Sequence, residues 1–324
     1  MFKLDQLRYF VEAVKCGSIS AAARKVRLAQ PAYSAHIKAL EEELGVRLFE
    51  RSTKGVHLTE AGERLFNGAL SLFRHVEQVR EEAANAAGEL TGEVRIVLAA
   101  SVAPLLAGKL FWEVRRTYPR VRLVILDLMR VASENLVTSR QVDFALLPNI
   151  ATLAGAASQP VIAQELYLIG RTPPQAADGE IDFHDVVEYP LVMGDRKNQL
   201  RVDLENTAAR EGHRIRIAIE QDSLSVLRSI ILNGPVYTVA PYSAFISEID
   251  AGALTATRIV NPSIERTLSF VWHDSSNLSA SARAVMALLH RRIGEMVRDG
   301  NLRGRSFLGR NRPGKGRGGF GAPR

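Results

Sequence analysis

With Cys16 the sole cysteine among 324 residues, no internal disulfide can form, and a disulfide-stapled secreted scaffold is excluded. Its plainest role is a packed free thiol beside Gly17, in a reducing compartment. No apolar run reaches the roughly 18 residues that a membrane helix needs. The amino terminus MFKLDQLRYF also lacks the apolar core of an export signal, so a cytoplasmic protein without a membrane partner is expected. The seven histidines show no metal-ligand spacing, and no G-x-S-x-G elbow occurs. No metal, cofactor or catalytic residue is therefore expected, and the chain reads as a non-enzyme. Near the end, Gly314-Lys-Gly-Arg-Gly-Gly319 spells a dinucleotide fingerprint, but no strand precedes it and no helix follows, so the match is fortuitous.

What is present is a globular composition, 46% hydrophobic and 24% charged, which supports packed cores and argues against disorder throughout. The length predicts two or three folded units. Of 42 basic residues, seven fall in 301–324, where there is no acid; the rest of the chain then balances 35 bases against 35 acids. The pI of 9.7 thus reflects a tail that reads as disordered, basic and Gly/Arg-rich. The first 40 residues are different. Lys3, Arg8, Lys15, Arg24, Lys25, Arg27 and Lys38 face only Asp5 and Glu12 there, a local excess that suits a polyanion.

That basic stretch predicts three short helices. Asp5 can cap the first, with Leu7, Phe10, Val11 and Val14 on one face and Gly17 as its left-handed stop. Ser18 can cap a second, whose Ala21, Ala22 and Ala23 allow close helix approach. Gln30 and Pro31 open the third, Tyr33, Ile37, Leu40 and Leu44 form its buried stripe, and Gly45 ends it. Gln30, Ser34, Ala35 and Lys38 then share its outer face, small and polar enough for a major groove. Arg47 to Leu58 reads as two short strands around a Thr53-Lys54-Gly55 turn, a wing that carries Arg51 and Lys54 at its tip over phosphates. By periodicity alone, a helical domain in which these polar residues are merely solvated fits equally well.

Gly17-Ser-Ile-Ser-Ala-Ala-Ala23, Gln30-Pro-Ala-Tyr-Ser34, Leu40-Glu41, Leu44-Gly45, Leu48-Phe49-Glu50-Arg51 and Leu58-Thr-Glu-Ala-Gly62 follow one another in the order and spacing of the winged helix-turn-helix of LysR-type transcriptional regulators. The chain resembles that family over nearly its whole length short of the tail. The resemblance implies an α/β protein with an N-terminal winged helix-turn-helix and a two-lobed effector domain akin to periplasmic binding proteins. It implies that Gln30, Pro31 and Ser34 face bases, and that Ser20, Lys38, Arg51 and Lys54 sit on phosphates of double-stranded promoter DNA. Ala35 stands where members often have a basic or polar residue. Ala29 replaces a frequent capping serine, a loss worth about 1 kcal/mol.

From Thr59 to Gly88 the apolar residues Leu65, Ala69, Leu72, Val76, Val79, Ala83 and Ala86 alternate at spacings of four and three, a heptad seam suited to pairing two chains. Packing on the helix's own domain is the competing reading. A homodimer is expected, and the family commonly goes on to tetramers and to contact with RNA polymerase.

The domain plan is 1–58 for the winged helix-turn-helix (helix-turn-helix 18–37), 59–88 for the dimerisation helix, 91–300 for the effector domain, and 301–324 for the tail. Within 91–300, strands alternate with helices in two sets, and a mainly parallel sheet with two crossings between lobes is expected. Ligands of such lobes bind at the carboxyl ends of strands. Ser101 matches the family position whose hydroxyl often touches the effector, Ser223 opens a later helix, and Met129 and Asn149 close the second and third strands. Taken singly, each serine reads first as a helix cap, a role that can coexist with a ligand contact, and Met129 and Asn149 suit ordinary packing or a turn. The segments Ala29-Gln-Pro-Ala32 and Asp222 to Ala244 resemble the branch named for nitrogen assimilation control. Arg140 stands where members usually have a helix-ending glycine. The competing class is a cytosolic small-molecule-binding or catalytic α/β protein with an incidental helical N-terminal domain.

Overall fold

The computed structural model describes residues 3–52, 55–84, 89–128, 130–149, 153–174, 178–275 and 278–307. It divides into two compact units, one drawn chiefly from residues up to Gly92 and the other from Glu93 onward.

The first unit holds α1 (Leu4–Cys16), α2 (Ile19–Lys25), α3 (Gln30–Leu44), β1 (Phe49–Ser52), β2 (Gly55–Leu58) and α4 (Glu60–Ala84). Asp5 does not cap α1. The cap position is Lys3, whose N–H donates to Gln6 Oε1 at 2.7 Å, and Asp5 lies in the first turn, where its charge still favours the helix dipole. Gly17 ends α1 at φ 62°. Ser18 caps α2 through Ala21 N, and Arg27 at φ 57° breaks the chain before α3. β1 and β2 pair antiparallel, Phe49 opposite Leu58. The Glu41 carboxylate accepts from Leu48 N at 2.7 Å and so fixes the entry to this hairpin. Thr59 caps α4 by accepting from Gly62 N at 3.0 Å. Gly62 is obligatory there: a Cβ would stand 2.2 Å from the Leu48 carbonyl oxygen. One core, with Leu7, Phe10, Tyr33, Leu40 and Leu48 at its centre, joins all six elements.

The second unit has two lobes. Lobe I contains β3 (Gly92–Leu98), α5 (Ala103–Thr117), β4 (Val121–Leu126), α6 (Arg130–Thr138) and β5 (Phe144–Pro148). A long strand, β6 (Ala156–Gly170), then leaves it for lobe II. There follow β7 (Glu180–Asp182), α7 (Phe183–Val186), β8 (Leu191–Met193), α8 (Gln199–Arg210), β9 (Ile217–Glu220), α9 (Leu224–Asn233), β10 (Tyr237–Pro241), a 3-10 turn (Tyr242–Ala244), α10 (Ile246–Asp250) and β11 (Thr255–Val260). The chain returns through β12 (Glu265–His273) to α11 (Ala280–Arg298) and β13 (Gly304–Ser306).

The sheet is mixed rather than mainly parallel. β3 and β5 run parallel, as do β10, β8 and β9, but both crossing strands break the pattern: β12 is antiparallel to β5 and β6, and β6 is antiparallel to β10 and β11. β6 belongs to both lobes, flanked first by β12 and β13 and then by β10 and β11.

β13 corrects the expected start of the tail. Leu302 is buried, Gly304–Ser306 pair with Ile162–Gln164, Arg303 stacks 3.5 Å over the Tyr242 ring, and Arg305 pairs with Glu265 at 3.0 Å. Two of the seven tail cations are therefore held by the fold, and residues 308–324 lie outside the described residues. Arg140 takes φ 55°, the left-handed conformation a glycine would adopt without strain.

Candidate functional site

Two places collect the polar groups singled out in the sequence. The first is the outer face of α3. Tyr33, Ile37 and Leu40 are buried, and the Tyr33 hydroxyl donates to the Tyr9 carbonyl, which fixes how α3 is turned about its axis. Burial also holds the Tyr33 phenol well above its ordinary pKa, so it stays a donor. That rotation leaves Gln30, Pro31, Ala35 and Lys38 exposed, with Ser34 half-buried beside them and Ser20 half-buried at the start of α2. Lys38 pairs with Glu42 at 3.4 Å, both well exposed, a contact weak enough to yield to a phosphate. Lys25 is instead drawn to Glu12 at 2.6 Å, which raises its pKa mainly through that hydrogen bond. No side chain caps α3, since Ala29 occupies its cap position. An anion is thus a natural partner for its first-turn N–H groups. The backbone of Arg51 lies in β1 opposite Val56; its side chain, and all of Lys54, fall outside the described residues.

The apolar seam of α4 divides. Ala69 is 2% exposed and Leu65 half-buried, both in the unit's own core with Phe66, Leu70 and Phe73. Ala69 therefore has no surface to offer a partner chain, which corrects its assignment to the seam. Leu72, Val76 and Val79 are 39%, 43% and 52% exposed and do face outward. Ala83 is exposed, and Ala86 lies outside the described residues.

The second place is a cavity of about 290 Å³ between the two lobes of the second unit. The carboxyl ends of β3, β5, β8, β9 and β10 open into it, as do the first residues of α6, α8 and α9, the arrangement in which α/β folds bind ligands. Ser101 lines it and is 8% exposed. It caps no helix, since Val102 holds the cap position of α5; its Oγ accepts from Arg266 Nη2 at 2.7 Å. Asn149, at φ 51°, also lines the cavity; it donates to Asp203 of α8 at 3.0 Å and accepts from Thr267 N at 3.2 Å, tying β5 to α8 and β12. Ser223 does not line the cavity, although its neighbours Asp222 and Leu224 do; its Oγ meets Ser225 Oγ at 2.9 Å and caps no N–H of α9. Met129 lies outside the described residues.

Arg266, which the sequence reading passed over, sits at this cavity. It is 8% exposed, and Nη2 donates both to Ser101 and to Gln164 Oε1 at 2.9 Å, while Gln164 Nε2 donates to Ser243 Oγ at 3.2 Å. Burial lowers its pKa to about 10, which leaves it protonated at neutral pH. The signal was legible: with side chains alternating along a strand, Arg266 shares a face with Leu268, a cation in an apolar register.

Residues 4–63 match the family described as bacterial regulatory helix-turn-helix protein, lysR family, and residues 87–294 match the LysR substrate binding domain. The chain belongs to the LysR family, and is a transcriptional regulator with a DNA-binding helix-turn-helix and an effector-binding domain. Among named relatives it is 31% identical to the nitrogen assimilation regulatory protein nac of Klebsiella aerogenes, over 88% of this chain and 93% of that one. It is 28% identical to the protein of the same name from Escherichia coli K12, with the same coverage. A full-length OxyR variant from Pseudomonas aeruginosa superposes with a TM-score of 0.68 at 22% identity, covering 90% of this chain and 95% of that one. Full-length CbnR in complex with its target DNA gives 0.66 at 18% identity, covering 90% and 99%. These two structures share the fold. No described helix is long and apolar enough to cross a membrane.

Proposed function

We propose that this regulator works in the cytoplasm as a homodimer, or a tetramer built from dimers, on double-stranded promoter DNA, and that a small molecule bound between its two lobes sets its output. The observation that carries the DNA half is the outer face of α3, where burial of Tyr33, Ile37 and Leu40 turns Gln30, Pro31, Ala35 and Lys38 outward. Gln30, Pro31 and Ser34 read bases, with Ala35 in the same row; Ser20, Lys38, Arg51 and Lys54 hold phosphates. Leu72, Val76 and Val79 supply the paired seam. A two-fold dimer reads an interrupted inverted repeat, its half-sites one or more helical turns apart.

In the effector domain, Ser101, Asn149 and Met129 contact the ligand, whereas Ser223, outside the lining, stands between the lining residues Asp222 and Leu224. The ligand shifts the closure of the lobes only by its differential affinity for the open and closed states. Closure changes the angle between paired reading heads, and with it promoter bending and contact with RNA polymerase. That the named relatives are transcriptional regulators supports a non-catalytic reading.

Gel retardation on the region upstream of its own gene tests the DNA half. Gln30→Ala is expected to cost about 1 to 3 kcal/mol of discrimination between operator and random DNA. Lys54→Ala should weaken both alike and flatten the salt slope. Equal losses on operator and random DNA for Gln30→Ala would contradict the assignment.

A further inference from the structure

Arg266 is a buried cation at the ligand cavity without a carboxylate to balance it. Among the described residues, the other buried arginine, Arg201, pairs with Glu205 and Glu220, whereas Arg266 forms no ion pair. Its two partners are neutral and share a single nitrogen, Nη2. Its Nε is buried and donates to nothing. Hydroxyl and amide oxygens solvate a guanidinium but leave its charge uncompensated, and the forked geometry of Nε and Nη suits a planar, two-oxygen anion.

The rest of the cavity restricts what carries that anion. Its two carboxylates each accept one backbone N–H: Asp195 Oδ1 from Lys197 N at 2.8 Å, and Asp222 Oδ1 from Asp195 N at 3.0 Å. Lys197 adds positive charge to the lining, whereas Arg130 is balanced by Glu134 at 3.1 Å. Leu128, Leu147, Leu224, Leu227 and Phe245 make much of the remaining wall, which a bare inorganic ion would leave unfilled and a carbon skeleton would cover. At about 290 Å³ the space suits a small molecule.

Resting on the reading that the interlobe cavity holds the effector, we propose that this effector is a small carboxylate with an apolar body and that Arg266 receives its carboxylate. The same residue joins Ser101 of lobe I to Ser243 of lobe II through Gln164. Capture of the anion therefore acts on both lobes at one point.

Thermal unfolding of the full-length protein, with probes that differ only in charge, provides the test. Hexanoate and phenylacetate are compared with hexanamide and phenylacetamide, with 2-phenylethylamine, and with inorganic sulfate, each up to about 10 mM, where a bound ligand raises Tm by a few degrees. A carboxylate is expected to raise Tm while its amide, the amine and sulfate do not. Arg266→Gln should weaken that response about thirtyfold or more, and Arg266→Lys, which keeps the charge but loses the fork, by less. The comparison of acid with amide uses the unaltered chain, so it stands even where a variant fails to fold. A response to amide or amine alone overturns the anion while leaving the cavity as the effector site. A sulfate response equal to the carboxylates' overturns the carboxylate in favour of an inorganic oxyanion. An undiminished carboxylate response in Arg266→Gln removes Arg266 from the site, and no response to any compound sinks both readings.

Discussion

Two glycines of α4 should respond to alanine with opposite signs. In the interior of a helix, alanine is favoured over glycine by about 0.8 to 1.0 kcal/mol, because glycine loses more conformational freedom on folding. At Gly68 a Cβ meets nothing within 4 Å, so Gly68→Ala should realise much of this gain. At Gly62 the new Cβ would lie 2.2 Å from the Leu48 carbonyl oxygen and 2.9 Å from Leu58 Cδ2. The first is backbone, and it already accepts from Thr59 N at 3.1 Å, so relief requires the helix to move away from the hairpin. Overpacking costs about 1 to 3 kcal/mol, and against a backbone oxygen it falls in the upper part of that range and outweighs the helix gain, while the cap contact of Thr59 on Gly62 N weakens with it. The two variants should therefore differ by about 2 kcal/mol. With a urea slope of roughly 1 to 3 kcal/mol/M, the midpoints of the transition that melts the first unit should separate by about 1 M. Circular dichroism in urea at several protein concentrations separates this from any change in chain pairing. Gly62→Ala as stable as Gly68→Ala would refute the close approach of α4 to Leu48.

Tyr33→Phe removes the hydroxyl that donates to the Tyr9 carbonyl and should destabilise the first unit by about 1 to 3 kcal/mol, read from the same urea curves. Operator affinity should fall further than the stability loss explains, because α3 loses its rotational anchor. Arg201→Ala removes a 4% exposed guanidinium that donates to the Gly194 carbonyl at 3.0 Å beside the cavity and pairs with Glu205 and Glu220. A loss of about 2 to 3 kcal/mol is expected in chemical denaturation, below the cost of stranding a fully buried acid, since both glutamates are substantially exposed. Gly304→Ala places a Cβ 2.0 Å from the Ala163 carbonyl oxygen at φ 140°, so β13 should detach from β6. Amide exchange should then accelerate at Ile162–Gln164 and 304–306 and stay unchanged in α8.

Much of the fold was legible where local chemistry and burial agree. Ser18 and Thr59 start helices through their hydroxyls, Gly17 and Gly45 end them in the left-handed conformation that the lack of a Cβ permits, and the stripe Tyr33, Ile37 and Leu40 marked the inner face of α3. The first half of β6 was not legible. Ala156-Ala157-Ser158-Gln159-Pro160 has little intrinsic strand preference, and it is extended because β12 pairs along its length, with Pro160 beside the register shift opposite Leu268 and Ser269. The seam of α4 misled for a related reason: a heptad pattern reports which residues are apolar, not whether their own domain covers them, and Ala69 is covered. Ser101, marked by its match to a family position as well as by a strand end, and Asn149, marked by a strand end, both line the cavity. Arg266 lies at the start of β12 rather than at the carboxyl end of a strand, and its signal is a charge inside an apolar alternation.

The position of β13 bears on how the effector domain should be cut out for study. The substrate-binding match stops at residue 294, inside α11, and a fragment trimmed there would discard Leu302 and the strand at Gly304–Ser306. β6 would then present bare amide and carbonyl groups at Ile162–Gln164, an invitation for neighbouring molecules to add a strand of their own and precipitate. A fragment carried through Phe307, whose N–H donates to the Val161 carbonyl at 2.9 Å, keeps that border closed.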